Sequence, residues 1–337
     1  MSRFRVEVLR GDLVESVHPV SVAVVDPSDR LIAWAGEPER TIPWRSAAKP
    51  FQTLPLLIDG AADAFGFDEE EIALACASHS SEPGHLAIVD RMLAKAGVGE
   101  ERLACGPHPP LGPDVQREVI ARGIELTPRW SNCSGKHAGL VALAKHHGWS
   151  LDDYGKAGHP VQRRILGEIA RFAGVAEERI ALMVDGCATV CFGLPIRAMA
   201  LAYARFIVSE EPACARIARA MMAHPWVVAG TRRFETELMT ALPGEVLAKV
   251  GAEGVYSAAM PGLGVGLTLK VEDGAWRAAP IALLAVLRRV FERGAASPAA
   301  RAALDGMREY LEPELTNTRG AVVGRIRVAG ELQFSGS

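Results

Sequence analysis

In WRSAAKPFQTLPLL, residues 44–57, Ser46 and Lys49 stand three positions apart at the head of an apolar run. On a helical turn such residues lie about 5–6 Å apart at Cβ, close enough for an amine to reach a hydroxyl. A lysine that has shed its proton can take one from serine and turn the oxygen into a nucleophile. Desolvation or a neighbouring cation favours the neutral amine, and a run that asks for burial offers the first of these. Pro50 lacks a backbone donor and biases the residue before it away from the helical region, so the helix is expected to begin close to the pair. The plain alternative makes Ser46 an N-cap and Lys49 a solvated first-turn charge.

Two more stretches carry the same residue types. CASHSSEPGH, residues 76–85, sets Ser78, His79, Ser80 and Ser81 between an apolar run and a helix. Ser80 or Ser81 reads as the cap of that helix, with Glu82 in its first turn, which leaves Ser78 unexplained. LAKVGAEGVYS, residues 247–257, puts Lys249 just before Gly251 at the entrance to a strand. A lysine–x–glycine far downstream of a serine–x–x–lysine is the order used by serine β-lactamases and their relatives.

Sulfur chemistry has two candidate stretches. SNCSGKHAGL, residues 131–140, gathers Cys133, Lys136 and His137 in a glycine-broken turn that leads into a helix. DGCATVC, residues 185–191, gathers Asp185, Cys187 and Cys191. Two thiolates and a nitrogen suit tetrahedral zinc, although the spacing matches no standard zinc finger. A Cys133–His137 nucleophile pair and a set of plain core thiols are the alternatives.

These segments must be positioned by the elements around them. Residues 4–9, 13–26 and 30–36 alternate or run in β-branched residues between RGD and DPSDR turns, which predicts an antiparallel meander. From about residue 69 to 242 helical periods dominate, as in EPGHLAIVDRMLAKAG, HAGLVALAKHHG, HPVQRRILGEIARFAG and CFGLPIRAMALAYARFIV. Strands return at 253–260 and 266–274, a helix follows at 280–293, and a last strand lies at 321–328. The Ala-rich stretch 294–306 is helical in pattern. PGLGVG, residues 261–266, precedes a strand instead of following one, which argues against a dinucleotide loop. The expected class is α+β: one antiparallel sheet built from both chain ends, with the helical region 69–242 inserted between them, in a single unit spanning residues 1–337.

The totals exclude several classes. The 337 residues carry a net charge of −3, with 49% hydrophobic and 23% charged residues, so no footprint for nucleic acid or an anionic membrane is present. No apolar stretch reaches the ~18 residues of a membrane span. Six cysteines are too sparse for a disulfide scaffold, and without an export signal they are expected to be reduced in the cytoplasm.

Taken in order, RSAAKPFQ, CASHS.EPGH, NCSGKHAG, DGCATV and LAKVGAEGV resemble the L-asparaginases of the rhizobial, asparaginase II type, over nearly the whole chain. The resemblance implies a fold like that of serine β-lactamases and β-lactamase-like glutaminases, and hydrolysis of L-asparagine to L-aspartate and ammonia. It implies two Ser–Lys tandems, Ser46 with Lys49 and Ser78 with Lys249. One accessory zinc per chain is implied on Cys133, Lys136 and Cys187, with Arg45, His137 and Asp185 near the substrate, in a homodimer. Arg45 suits the substrate carboxylate and Asp185 its ammonium. His137 either faces the substrate or joins the metal ligands. Val250 stands where penicillin-interacting enzymes usually have Thr or Ser, so lactam substrates are not expected. A related amidase or glutaminase, a non-catalytic zinc-binding protein and a hydrolase using Cys133 are the rival readings.

Overall fold

The computed structural model describes residues 3–294 and 297–336. The chain divides into two compact units. The first comprises Met1–Ile42, Leu194–Val208 and Ala241–Ser337; the second comprises Pro43–Gly193 and Ser209–Thr240.

The first unit is built on an antiparallel sheet from both chain ends, as expected. Its strands run in the order Glu314–Thr316, Val322–Ala329, Arg5–Arg10, Leu13–Val25, Val265–Val271, Val255–Met260 and Leu247–Gly251. Leu31–Ala35 pairs with the end of Leu13–Val25 and with Gln333–Phe334. Every residue of Val265–Val271 is buried, although successive side chains point to opposite faces. Both faces of the sheet are therefore covered there, which explains the nearly unbroken apolar run. Helix Ile196–Val208 packs on this strand so closely that a Cβ on Gly266 would sit 2.1 Å from the Ala200 carbonyl oxygen.

The second unit is mostly helical and is organised around helix Ser134–His146. Residues 134–144 of this helix are all buried, which fits a helix without a polar face. It packs against helices Lys49–Ile58, Glu69–Ala75, Pro83–Ala96 and Pro160–Ala173. Trp44, Phe51 and Phe172 pack one after another with tilted rings, their centroids 5.0 and 5.7 Å apart. Gly97 and Gly174 end their helices in the left-handed conformation that glycine adopts without a Cβ clash.

Three local expectations are corrected. Val190–Pro195 is a strand, paired with Ala181–Val184, and the helix expected from Cys191 begins only at Ile196. Pro195 cannot supply an interior helical donor, so the β-branched and aromatic residues before it are free to join a sheet. Lys49 is itself helical, with φ −57° and ψ −37°, despite the proline that follows. The preceding 3₁₀ turn, Arg45–Ala48, already directs the Lys49 N–H to the Ser46 carbonyl. The cap of helix Pro83–Ala96 is Glu82, not Ser80 or Ser81, because Pro83 occupies the first turn. In the Ala-rich stretch, Pro298–Gly306 is helical, and residues 295–296 lie outside the described residues.

Candidate active site

Lys49 opens its helix and is buried, with its amine 3.0 Å from the Ser78 hydroxyl oxygen and also donating to the Ala77 carbonyl. Ser46 lies one turn earlier, half-buried in the 3₁₀ turn. The amine is thus brought to Ser78, 29 residues away in sequence, as well as standing one turn from Ser46. Ser78 follows helix Glu69–Ala75 in an irregular segment, where its N–H bonds the Val228 carbonyl at 3.0 Å.

The rest of that segment is held on several sides. His79 is fully buried; its Nε2 bonds Ser134 Oγ at 2.9 Å and its Nδ1 accepts the Ser81 N–H at 3.2 Å. Ser81 takes a left-handed φ of 57° and donates its hydroxyl to the Trp130 carbonyl. His79 stacks on His85, and His85 on Trp226, with ring centroids 5.3 and 4.1 Å apart. Burial holds both histidines below the usual imidazole range, and the charges of Lys49 and Arg233 add to this at His79. Glu82 accepts from the N–H and hydroxyl of Thr231, at 2.7 and 2.6 Å, and from Trp226 Nε1 at 3.3 Å. Arg233 reaches the Ser78 carbonyl at 3.5 Å.

Cys133 caps helix Ser134–His146, and Cys187 sits in the turn between strands Ala181–Val184 and Val190–Pro195. That turn is closed by the Asp185 N–H on the Thr189 carbonyl, at 2.8 Å, with Ala188 at a left-handed φ of 66°. The Cys133 sulfur beside it and the Lys136 ammonium together draw the Cys187 pKa far below that of an ordinary thiol. Cys133, next to that sulfur and buried, is pushed up, and its thiol donates to Asn132 Oδ1 at 3.0 Å. Lys136 Nζ lies 2.9 Å from Cys187 Sγ and 2.6 Å from Thr189 Oγ1. Burial works against its charge, yet the two sulfurs outweigh burial and raise its pKa. Among the described residues no group of three or more His, Cys, Asp and Glu is arranged to hold a metal ion. The cluster here is two sulfurs and an amine.

Lys136 is placed by its neighbour. A Cβ on Gly135 would fall 2.4 Å from the Leu74 carbonyl oxygen, so only glycine lets this helix approach helix Glu69–Ala75. His137, next in sequence, is fully buried and bonds the Tyr154 hydroxyl through Nδ1 at 2.6 Å.

Arg45 Nε bonds Asp185 Oδ1 at 2.8 Å, and the same carboxylate oxygen accepts the Gly186 N–H. A guanidinium and a carboxylate side by side present both charges that an α-amino acid needs. Lys249 belongs to the first unit. It occupies the middle of strand Leu247–Gly251, opposite Ser257, fully buried, with its amine donating to the Val250 carbonyl at 3.0 Å.

Of the ten residues singled out by sequence, the second unit brings Lys49 to Ser78, Arg45 to Asp185, and Cys133, Lys136 and His137 to Cys187. Sequence reasoning missed Thr189, Glu82, Arg233 and Tyr154. Thr189 lies two residues past Cys187, a proximity that was available as a signal; the others meet the site through pairings far apart in the chain.

The profile of the L-asparaginase II family matches residues 6–328. No curated protein matches the chain significantly. Among solved structures, the protein Mglu in its tris and glutamate form is 18% identical, over 81% of this chain and 58% of that one, with a TM-score of 0.36. Mglu in its native form is 19% identical, over 81% and 63%, with a TM-score of 0.35. A β-lactamase from Mycobacterium bovis is 11% identical, over 87% and 95%, with a TM-score of 0.30. This chain therefore spans a little under two thirds of those two Mglu chains. Among the described residues no helix is long and apolar enough to cross a membrane. On the strength of a profile match from residue 6 to residue 328, the chain belongs to the L-asparaginase II family.

Proposed function

We propose that this chain is an amidohydrolase that converts L-asparagine to L-aspartate and ammonia by serine–lysine chemistry. The observation that carries the reading is the buried contact of Lys49 with Ser78, one turn from Ser46, in a chain of this family. An amide is a poor electrophile, so an activated oxygen and a proton for the leaving nitrogen must be supplied together. In this reading Ser46 Oγ attacks the side-chain amide carbon while the amine of Lys49 takes its proton. The C–N bond breaks as the nitrogen receives a proton, and ammonia leaves. Water then cleaves the ester, returning the proton to Ser46 and releasing L-aspartate. Ser78 relays protons between Lys49 and the leaving group, with Lys249 as its second lysine. Arg45 holds the α-carboxylate of the substrate and Asp185 its α-ammonium.

Cys133, Cys187 and Lys136 would hold one zinc ion per chain. Two adjoining sulfurs and an amine fit that metal, provided Lys136 gives up its proton on binding. The bound ion would supply fixed positive charge beside the substrate. We also read the assembly as a homodimer, which light scattering on the purified protein checks.

The test is ammonia release from L-asparagine and L-glutamine by the wild type and by Ser46→Ala, Ser78→Ala and the double variant. Turnover of asparagine that survives in the double variant sinks the serine chemistry. A preference for glutamine transfers the reading to a related amidase.

A further inference from the structure

Strand Ala181–Val184 belongs to the second unit, reads Ala-Leu-Met-Val and lies at the edge of its sheet, beside Val190–Pro195. Side chains along a strand alternate between the two faces, yet all four of these are exposed, Val184 by 82%. Neither face is covered. Natural edge strands are usually guarded by a charge, a proline or a bulge, because their open backbone groups recruit other strands. Ala181–Val184 has none of these guards.

The open backbone groups can be named. The Asp185 N–H bonds the Thr189 carbonyl across the turn, so the backbone of Asp185 points into the hairpin. Backbone groups alternate in an antiparallel pair, so Ala181 and Met183 also point inwards, and Leu182 and Val184 point outwards. Among the described residues no backbone bond outside the strand ladder reaches Leu182 or Val184. Each therefore offers one N–H and one carbonyl from the edge.

We infer that Ala181–Val184 is the dimerisation strand: it pairs antiparallel with the same strand of a second copy, about a two-fold axis at Met183. In that register Leu182 of each copy faces Val184 of the other, and each such pair exchanges both of its backbone bonds. An axis at Leu182 would set Val184 against Ile180, whose N–H is already given to the Glu177 carbonyl. The edge is thus complementary to itself, which is what a two-fold interface requires and a foreign strand does not. The apolar side chains cover one another, Met183 on Met183 and Leu182 on Val184. The nearest charges in sequence are Arg179 before the strand and Asp185 after it, and antiparallel pairing brings these opposite signs together. Four residues fall short of the ~800 Å² per partner of a stable interface, so the exposed neighbours Glu178, Arg179 and Gly186 join the contact. Pairing also steadies the turn that follows, which carries Cys187 and the Asp185 partner of Arg45. The inference rests on the homodimer reading and adds the face through which the copies meet.

The experiment is sedimentation velocity on the full chain. The wild type should have the mass of a dimer. Val184→Lys buries an unpaired ammonium between the copies and should weaken dimerisation at least tenfold, while in the single chain that side chain stays in water. Leu182→Pro, which removes only an outward N–H, should weaken it as well. Leu13→Lys, at a side chain of the first unit that is 78% exposed, should leave the dimer intact. Met183→Cys provides a gain of signal. Directly opposed residues of this kind lie about 4.5 Å apart at Cα, within reach of a disulfide. The six native cysteines are buried, so mild oxidation should yield a covalent dimer in this variant alone. A monomeric wild type overturns the homodimer and this pairing together, and leaves the strand to a segment of another protein. A wild-type dimer that persists in Val184→Lys and Leu182→Pro, with no cross-link through Met183→Cys, overturns the pairing and spares the homodimer.

Discussion

The amine of Lys49 lies 3.0 Å from the hydroxyl oxygen of Ser78, with both side chains buried. The bond joins the first residue of one helix to the segment that follows another. If this amine moves the reacting protons, Lys49→Met lowers kcat for ammonia release by ~10²–10⁴-fold, the range for a positioned acid–base group. Combining it with Ser78→Ala adds little, because the two act as a unit. Steady-state kinetics on the two single variants and the double variant decide this, and additive losses would separate the residues.

The histidine stack makes stability depend on pH. His79 and His85 are buried with their pKa values held low, facing each other, Trp226, Lys49 and Arg233, with Glu82 beside His85. Above about pH 6.5 both are neutral, folded or unfolded, and their contribution is complete. As pH falls below that value the unfolded chain takes up protons that the folded chain refuses, so stability drops. Urea unfolding at pH 8, 6 and 5 should show the midpoint falling with pH, and the fall should be shallower in His79→Gln. A midpoint constant over that interval would contradict the assignment.

Gly135 gives a packing test. Alanine there gains about 1 kcal/mol in helix propensity. Its Cβ would nevertheless meet the Leu74 carbonyl oxygen at 2.4 Å, and crowding against backbone costs about 1–3 kcal/mol. The clash should win. Gly135→Ala is expected to melt at a lower temperature and, by shifting Lys136, to bind zinc more weakly in isothermal titration.

Zinc itself should be an accessory. Metal analysis of purified protein is expected to find about one ion per chain. Cys187→Ser should bind far less, because the turn that carries it provides a thiolate that serine cannot replace. Removing the ion with a chelator should raise KM more than it lowers kcat. Complete loss of turnover in a protein that still shows its native circular dichroism would assign the metal a direct role.

Glu82 tests how firmly the Ser78 segment must be held. Its carboxylate takes three hydrogen bonds from Thr231 and Trp226, and those from Thr231 hold its pKa below the usual carboxylate value against the effect of burial. Glu82→Gln weakens this anchoring without changing the side-chain length. Activity should fall by about tenfold, with proteolysis quickening in residues 76–82. Unchanged proteolysis would show that Arg233 and the histidine stack suffice.

Much of this was legible in the order of residues alone. Alternation and β-branched runs reported the strands at both chain ends, and helical periods reported the long central helices, because side-chain periodicity is a local property. The motif residues announced their chemistry by type. Locality also explains the misses. CFGLP carries a helical pattern up to a proline, and only pairing with Ala181–Val184 makes it a strand. Glu82 became a cap because the proline after it leaves that role to no other residue.

What the sequence determined by itself was the set of elements and the reactive groups upon them. Tertiary structure alone decided which groups meet: that Lys49 reaches Ser78, that Arg45 is answered by Asp185 across 140 residues, and that Tyr154, a residue in no motif, meets His137. Such contacts join segments distant in sequence, and they are settled by how buried faces pack and by the demand that every buried donor find an acceptor. No local pattern records that demand.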